Sequence, residues 1–335
     1  SGSYEGIFST KKINSILYGV AAGDALGFPA QFEPRFQRRK SPVVGMGEYE
    51  DENGQIRSFS EELTGLWSDD TSLTLCLAES LLDGFDLKDQ AKRFVAWLDR
   101  GYLSAKDRAF DVGQQTAESI ARVRSILESG YYAELEQLGS DADEYSNGNG
   151  SLMRILPLVV HIKGMLLQQQ FELVHKASAL THPHIRSALC CFYYLKIAEY
   201  IIDGMDKFTA YTQARGDTYT IMKQQGCTEK EFKALRRLLE QNIGSLTENE
   251  IDSGGYVVSS LEASIWSLLT TDSFEEAVLK AVNLGEDTDT TGAITGGLAA
   301  LLYGFEAIPK EWITKLKKPE LFESIISRWQ DRLSL

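Results

Sequence analysis

Apolar positions recur three and four residues apart along most of this chain, the spacing that places them on one face of a helix. Ile13, Ile16, Leu17 and Val20 form the first stripe, and Leu73, Cys76, Leu77, Ser80 and Leu81 the next. Leu87, Ala91, Phe94, Val95 and Leu98 predict a third helix, and Ile120, Val123 and Leu127 a fourth. Further stripes are Ile185, Leu189 and Phe192, then Leu235, Leu238 and Leu239, then Val258, Leu261, Ile265 and Leu268. Phe274, Ala277, Val278 and Ala281 follow, and Leu321, Ile325, Ile326 and Trp329 close the series. Strand-type alternation is absent apart from a short strand or extended loop near Gln55 to Phe59. Polar stretches near 40–62, 139–150 and 244–255 are loop-sized, and no Pro/Ser-rich linker divides the chain. The pattern predicts one all-α domain over residues 4–335, with function carried on interhelical loops. Ser1-Gly2-Ser3 is set aside as an expression scar.

Composition narrows the function classes. Hydrophobic residues make up 43% of 335 and charged residues 24%, an ordinary globular balance. The formal net charge of −14 argues against nucleic acid, whose phosphates need clustered Lys and Arg. The acidity favours cations, so any phosphate site must be built locally. Cys76, Cys190, Cys191 and Cys227 show no metal-type spacing. They suit a reducing, cytoplasmic setting. No signal-peptide pattern opens the chain, and no run approaches the roughly 20 apolar residues of a membrane span.

Two acidic clusters each stand at a predicted helix start. Trp67-Ser68-Asp69-Asp70-Thr71 precedes the second stripe, and Gly285-Glu286-Asp287-Thr288-Asp289-Thr290-Thr291-Gly292 opens a helix rich in small residues. Capping by Ser68 and compensation of the helix dipole explain one carboxylate of the first cluster. Adjacent carboxylates add repulsion that a dication would relieve. Brought together, the clusters offer four carboxylates and two hydroxyls, a hard-oxygen set suited to Mg²⁺, Mn²⁺ or Ca²⁺.

Other polar segments are open to two readings. Ser146-Asn147-Gly148-Asn149-Gly150-Ser151 is either a flexible turn or a cradle whose backbone N–H groups meet an anion. His182 either contacts a ligand or caps a helix. Asp111 reads first as a cap. Arg154 is either a phosphate ligand or half of a buried ion pair. Tyr256 either stacks on a base or ribose or packs in the core.

In order along the chain, Gly23-Asp24-Ala25-Leu26-Gly27, Trp67 to Thr71, Phe110-Asp111-Val112-Gly113, Gly148 to Arg154 and Asp287 to Gly292 resemble the motifs of the ADP-ribosylglycohydrolases. The resemblance runs from about residue 13 to 305. It implies a compact, orthogonal, multi-helix all-α fold with a central cleft and a binuclear centre of two Mg²⁺ or Mn²⁺. By match of motif, Ser68, Asp69, Asp70, Asp287, Asp289 and Thr290 become metal ligands. Gly148, Asn149, Gly150 and Ser151 become the phosphate loop, and His182 and Tyr256 ADP-ribose contacts. Asp111 matches a carboxylate near the scissile ribose. Gln31 stands where many members carry Glu, and Glu33, two residues on, can reach the same side of an extended segment. The implied activity is removal of ADP-ribose from a modified protein, foremost from arginine, with Asp69, Asp70, Asp111 and Glu33 as catalytic candidates. A cognate ADP-ribosylating toxin is the further partner this suggests. The alternatives are an ADP-ribose- or toxin-binding protein without turnover, motivated by Gln31, and a two-metal phosphohydrolase.

Overall fold

The stripe of Ile13, Ile16, Leu17 and Val20 lies buried on the helix Thr10–Gly27. The structure, a computed structural model, describes residues 10–140 and 142–334, so Ser1-Gly2-Ser3 lies outside the described residues. Helices dominate, as the periodicity requires. Asp69–Ser80 carries the second stripe and Leu87–Arg100 the third. The latter starts where the Asp86 side chain accepts the Asp89 N–H at 3.1 Å and stops at Gly101, whose φ of 70° ends the helix in the left-handed region. Three short strands, β1 Val43–Gly45, β2 Glu48–Glu50 and β3 Ile56–Ser58, form an antiparallel sheet in that order. β3 matches the extended stretch read near Gln55 to Phe59; β1 and β2 add to it.

The described chain divides into two compact units. The first comprises residues 10–72, 243–255 and 259–334. Its centre is the crossing of Thr10–Gly27 with Thr288–Tyr303, with Phe274–Val282 and Pro319–Leu333 packed around it. Glycines make the crossing close. A Cβ on Gly23 would sit 1.9 Å from Gly292 O, and one on Gly292 would sit 2.3 Å from Gly23 O. Gly19 meets Gly296 in the same way one turn along. Trp67, fully buried, is fixed beside this core by its Nε1 donating to Lys317 O at 2.8 Å and by an edge contact with Phe322.

The second unit comprises residues 73–140, 142–242 and 256–258. Ile185–Ile202 runs through it and is apolar nearly all round, which is the pattern of a helix enclosed by others. Leu167–Ala179 and Lys207–Gln224 pack against it. Its N-terminus is capped by His184, whose Nδ1 accepts the Arg186 N–H at 3.1 Å.

Candidate functional site

Both acidic motifs fall in the first unit, and the structure brings them together. Ser68, Asp70, Asp289 and Thr290 are buried, Asp69 is 7% exposed, and Asp287 is half-buried. One hydroxyl stands at the centre. Ser68 Oγ lies 2.9 Å from Asp24 Oδ1, 2.8 Å from Asp70 Oδ1 and 3.2 Å from Asp289 Oδ2. A hydroxyl has a single proton to give, so it cannot satisfy three carboxylate oxygens.

Asp24, within the motif Gly23 to Gly27, has no role assigned from sequence, yet it is fully buried beside Ser68. Its Oδ2 accepts from Ser68 N at 2.9 Å, Thr71 N at 3.2 Å and Thr71 Oγ1 at 2.7 Å. The cap expected from Ser68 is therefore supplied by a carboxylate from another helix, and the Ser68 hydroxyl is released toward the aspartates. The available signal was an Asp set inside the apolar run Val20 to Leu26. Asp24, Asp70 and Asp289 offer carboxylate oxygens that all lie within 4.8 Å of one another.

So much negative charge in a dry site is costly. Burial, and then the Asp287 charge, push Asp70 up to about 6, with hydrogen bonds from Thr290 and Ser68 pulling the other way. Burial followed by Asp70 raises Asp24 well above the usual carboxylate range. Burial followed by the charges of Asp70, Asp287, Asp24 and Asp69 does the same to Asp289. Asp289 Oδ1 is buried without a hydrogen-bond partner among the described residues. An orphaned carboxyl oxygen among hard-oxygen donors fits a divalent cation of the Mg²⁺ or Mn²⁺ kind.

The neighbouring segment behaves differently from its carboxylate count. Phe32 N donates to Glu286 O at 2.6 Å and Glu286 N to Glu33 O at 2.7 Å, tying this stretch to the second acidic motif. The Glu33 carboxylate pairs with the buried Arg38. Gln31 Oε1 is buried without a hydrogen-bond partner among the described residues. Glu286 sits at φ 62°, a backbone conformation that favours glycine, the residue common there in the resembling motif.

The glycine-rich segment lies in the second unit. Asn147 anchors it: Oδ1 accepts from Ser187 N at 3.1 Å and Ser187 Oγ at 2.8 Å, and Nδ2 lies 2.9 Å from His184 Nδ1. Gly148 bridges Tyr256, and Val257 N donates to Asn147 O at 2.9 Å. Asn149 and Ser151 are buried. Gly150 is pressed against His182, where a Cβ would meet Cε1 at 2.5 Å and Nε2 at 3.0 Å. The helix cap is thus His184, and His182 faces the loop. Tyr256 is 39% exposed, and its hydroxyl accepts from Arg186 Nη1 at 3.2 Å. Asp111 is exposed in the same unit at φ 55°, ahead of the helix Gln114–Ser129.

A predominantly helical chain with buried aspartates gathered at two helix starts, and separately a clamped glycine loop, defines the class. The family model described as ADP-ribosylglycohydrolase matches residues 9–334, and the chain belongs to that family. It is an ADP-ribosylglycohydrolase. It is 31% identical over 322 residues to the ADP-ribosylarginine hydrolase Tri1 of Serratia proteamaculans, covering 95% of this chain and 78% of that protein. It is 28% identical to the ADP-ribosyl-[dinitrogen reductase] glycohydrolase of Rhodospirillum rubrum, covering 89% and 87%. A solved structure described as an ADP-ribosylglycohydrolase-related protein complex superposes with a TM-score of 0.72 at 29% identity, covering 97% of this chain and 99% of that one. Among the described residues no helix is long and apolar enough to cross a membrane.

Proposed function

We propose that this chain hydrolyses the bond between ADP-ribose and arginine on a modified protein, using two divalent cations held by the aspartate cage. The observation that carries the cation requirement is the Ser68 hydroxyl shared by three buried carboxylates. Ser68, Asp69, Asp70, Asp287, Asp289 and Thr290 would hold the pair, with Asp24 bracing Ser68 and the helix start. Bound there, Mg²⁺ or Mn²⁺ would supply Lewis acidity, lowering the pKa of water and helping to orient the substrate. Gly148 to Ser151 receives the pyrophosphate on backbone N–H groups, His182 adds a side-chain contact, and the partly exposed Tyr256 contacts an aromatic or sugar ring. Asp111 is the carboxylate for steering or deprotonating water as the anomeric carbon gains oxocarbenium character. Glu33 is a weaker candidate, because its carboxylate is engaged by Arg38. The arginine preference is supported by likeness to the ADP-ribosylarginine hydrolases. Reversal of a toxin's modification is the physiological setting this suggests.

Mass analysis of the products from ADP-ribosylated arginine, serine and nucleic-acid substrates tests the reading. Intact ADP-ribose should be released from arginine, in Mg²⁺ or Mn²⁺ and not in chelator. Asp69→Asn and Asp289→Asn should each cut the rate by a factor on the order of 10² or more, comparable to removing a key electrostatic group. Release at the native rate by both folded variants would refute the cage mechanism. The orphaned amide of Gln31 motivates a second reading, a binder that has lost turnover. Tight ADP-ribose binding without any released product would select it, and AMP or phosphate as product would indicate a phosphohydrolase instead.

A further inference from the structure

Arg154 ends the glycine-loop motif, and its surroundings match neither of the roles open to it from sequence. It is wholly buried and makes no ion pair with a carboxylate among the described residues. Nη2 donates to Ala177 O at 3.1 Å, Ser178 O at 3.4 Å and Thr181 Oγ1 at 2.7 Å, and the guanidinium lies 4.7 Å from the Phe94 ring centroid. Nε and Nη1 are buried without hydrogen-bond partners among the described residues. An uncompensated buried cation is expensive, so its retention needs a reason.

Thr181 Oγ1 continues the chain of contacts, 2.9 Å from His182 Nδ1. A guanidinium only donates, so Thr181 Oγ1 is the acceptor in that contact. The single hydroxyl proton then has one acceptor within reach among the described residues, the lone pair of His182 Nδ1. Burial and the Arg154 charge hold the imidazole down to about 3, so the ring is neutral near pH 7 and carries one N–H. In a neutral imidazole the partner of one nitrogen decides which nitrogen keeps the proton. With Nδ1 accepting, the proton resides on Nε2, the edge of the ring that meets Gly150.

We propose that Arg154 is a positioning residue that acts through Thr181 to lock His182 as a neutral Nε2–H donor toward the loop Gly148 to Ser151. The inference rests on reading that loop as the pyrophosphate cradle. With the other tautomer, a lone pair would face the anion and repel it. The guanidinium, with no carboxylate partner among the described residues, also adds local positive potential in a chain whose net charge is −14.

Long-range ¹H–¹⁵N spectra of the ring nitrogens, with the His182 signals assigned by their loss in His182→Asn, should show Nε2 protonated and Nδ1 bare from pH 6 to 8. Thr181→Val removes the hydroxyl proton and keeps the shape. It should perturb both ring nitrogens and weaken ADP-ribose binding by calorimetry about tenfold, the scale of one hydrogen bond to a charged group. Thr181→Ser should restore both. A proton on Nδ1 in the native protein, or native ADP-ribose affinity in Thr181→Val, overturns the proposal. Gly150→Ala separates the two levels. If it loses binding while Thr181→Val keeps it, the cradle stands and the relay falls. If Gly150→Ala binds as the native protein does, the cradle reading falls and takes the relay with it.

Discussion

Asp24, Asp70 and Asp289 carry the electrostatic cost of the cage, and that cost has a measurable sign. The folded-state pKa of Asp70 is raised from 3.8 to about 6. A raised carboxyl contributes stability that is full below its unfolded value and is lost as pH rises through the folded one. In chelator, native protein should therefore lose stability relative to Asp70→Asn between about pH 4 and pH 6. The relative loss should reach ~2 kcal/mol at pH 7. Urea unfolding of both proteins at pH 4.5 and 7 checks this, and excess Mg²⁺ should remove the native protein's disadvantage. At this scale the sequence was readable where charge was concentrated and opaque where it was single. Two adjacent aspartates at a helix start signal a repulsion in need of relief. Asp24 reads as an interruption of an apolar stripe, because its partners Ser68 and Thr71 are 44 and 47 positions away. Arg154 is open from sequence to two readings, a phosphate ligand or half of a buried ion pair, since the absence of a carboxylate beside it can only be seen in three dimensions.

At the scale of elements, the cage depends on how closely two helices approach. Gly19, Gly23 and Gly27 are four apart on Thr10–Gly27, and Gly292 and Gly296 repeat the spacing on Thr288–Tyr303. Gly23→Ala would drive a methyl into the Gly292 carbonyl, and no side chain can move aside to admit it. Overpacking of this kind costs on the order of 1–3 kcal/mol or more, and denaturant unfolding should show it together with weakened Mn²⁺ binding. Gly216 is the control: it is exposed on the helix Lys207–Gln224, with open space at its Cβ. Gly216→Ala should stabilise by roughly 1 kcal/mol through helix propensity and leave Mn²⁺ binding unchanged. The stripes that announced the helices are mostly buried, because a 3.6-residue period survives over many turns. Val95 and Leu98 turn out half-buried, with Trp97 filling the core position instead. The sheet was legible only at Ile56–Ser58, since strands of three residues are too short to show alternation.

Over the whole molecule, chemistry is concentrated by folding and not by sequence neighbourhood. Ser68 and Asp289 touch across 221 positions, and the first unit that holds them is assembled from both ends of the chain. The glycine loop, His182 and Tyr256 belong to the second unit. The second unit also holds the buried guanidinium of Arg154, and the first the crowded carboxylates of Asp24, Asp70 and Asp289. The most direct measurement is a titration of chelator-treated protein with Mn²⁺, reading free ion by electron paramagnetic resonance. About two ions per chain should bind to the native protein, as a two-metal cage demands, and Asp289→Asn should lose at least one of them while remaining folded. Native protein that binds no Mn²⁺ stoichiometrically, or Asp289→Asn that binds it as well as native, would contradict the account.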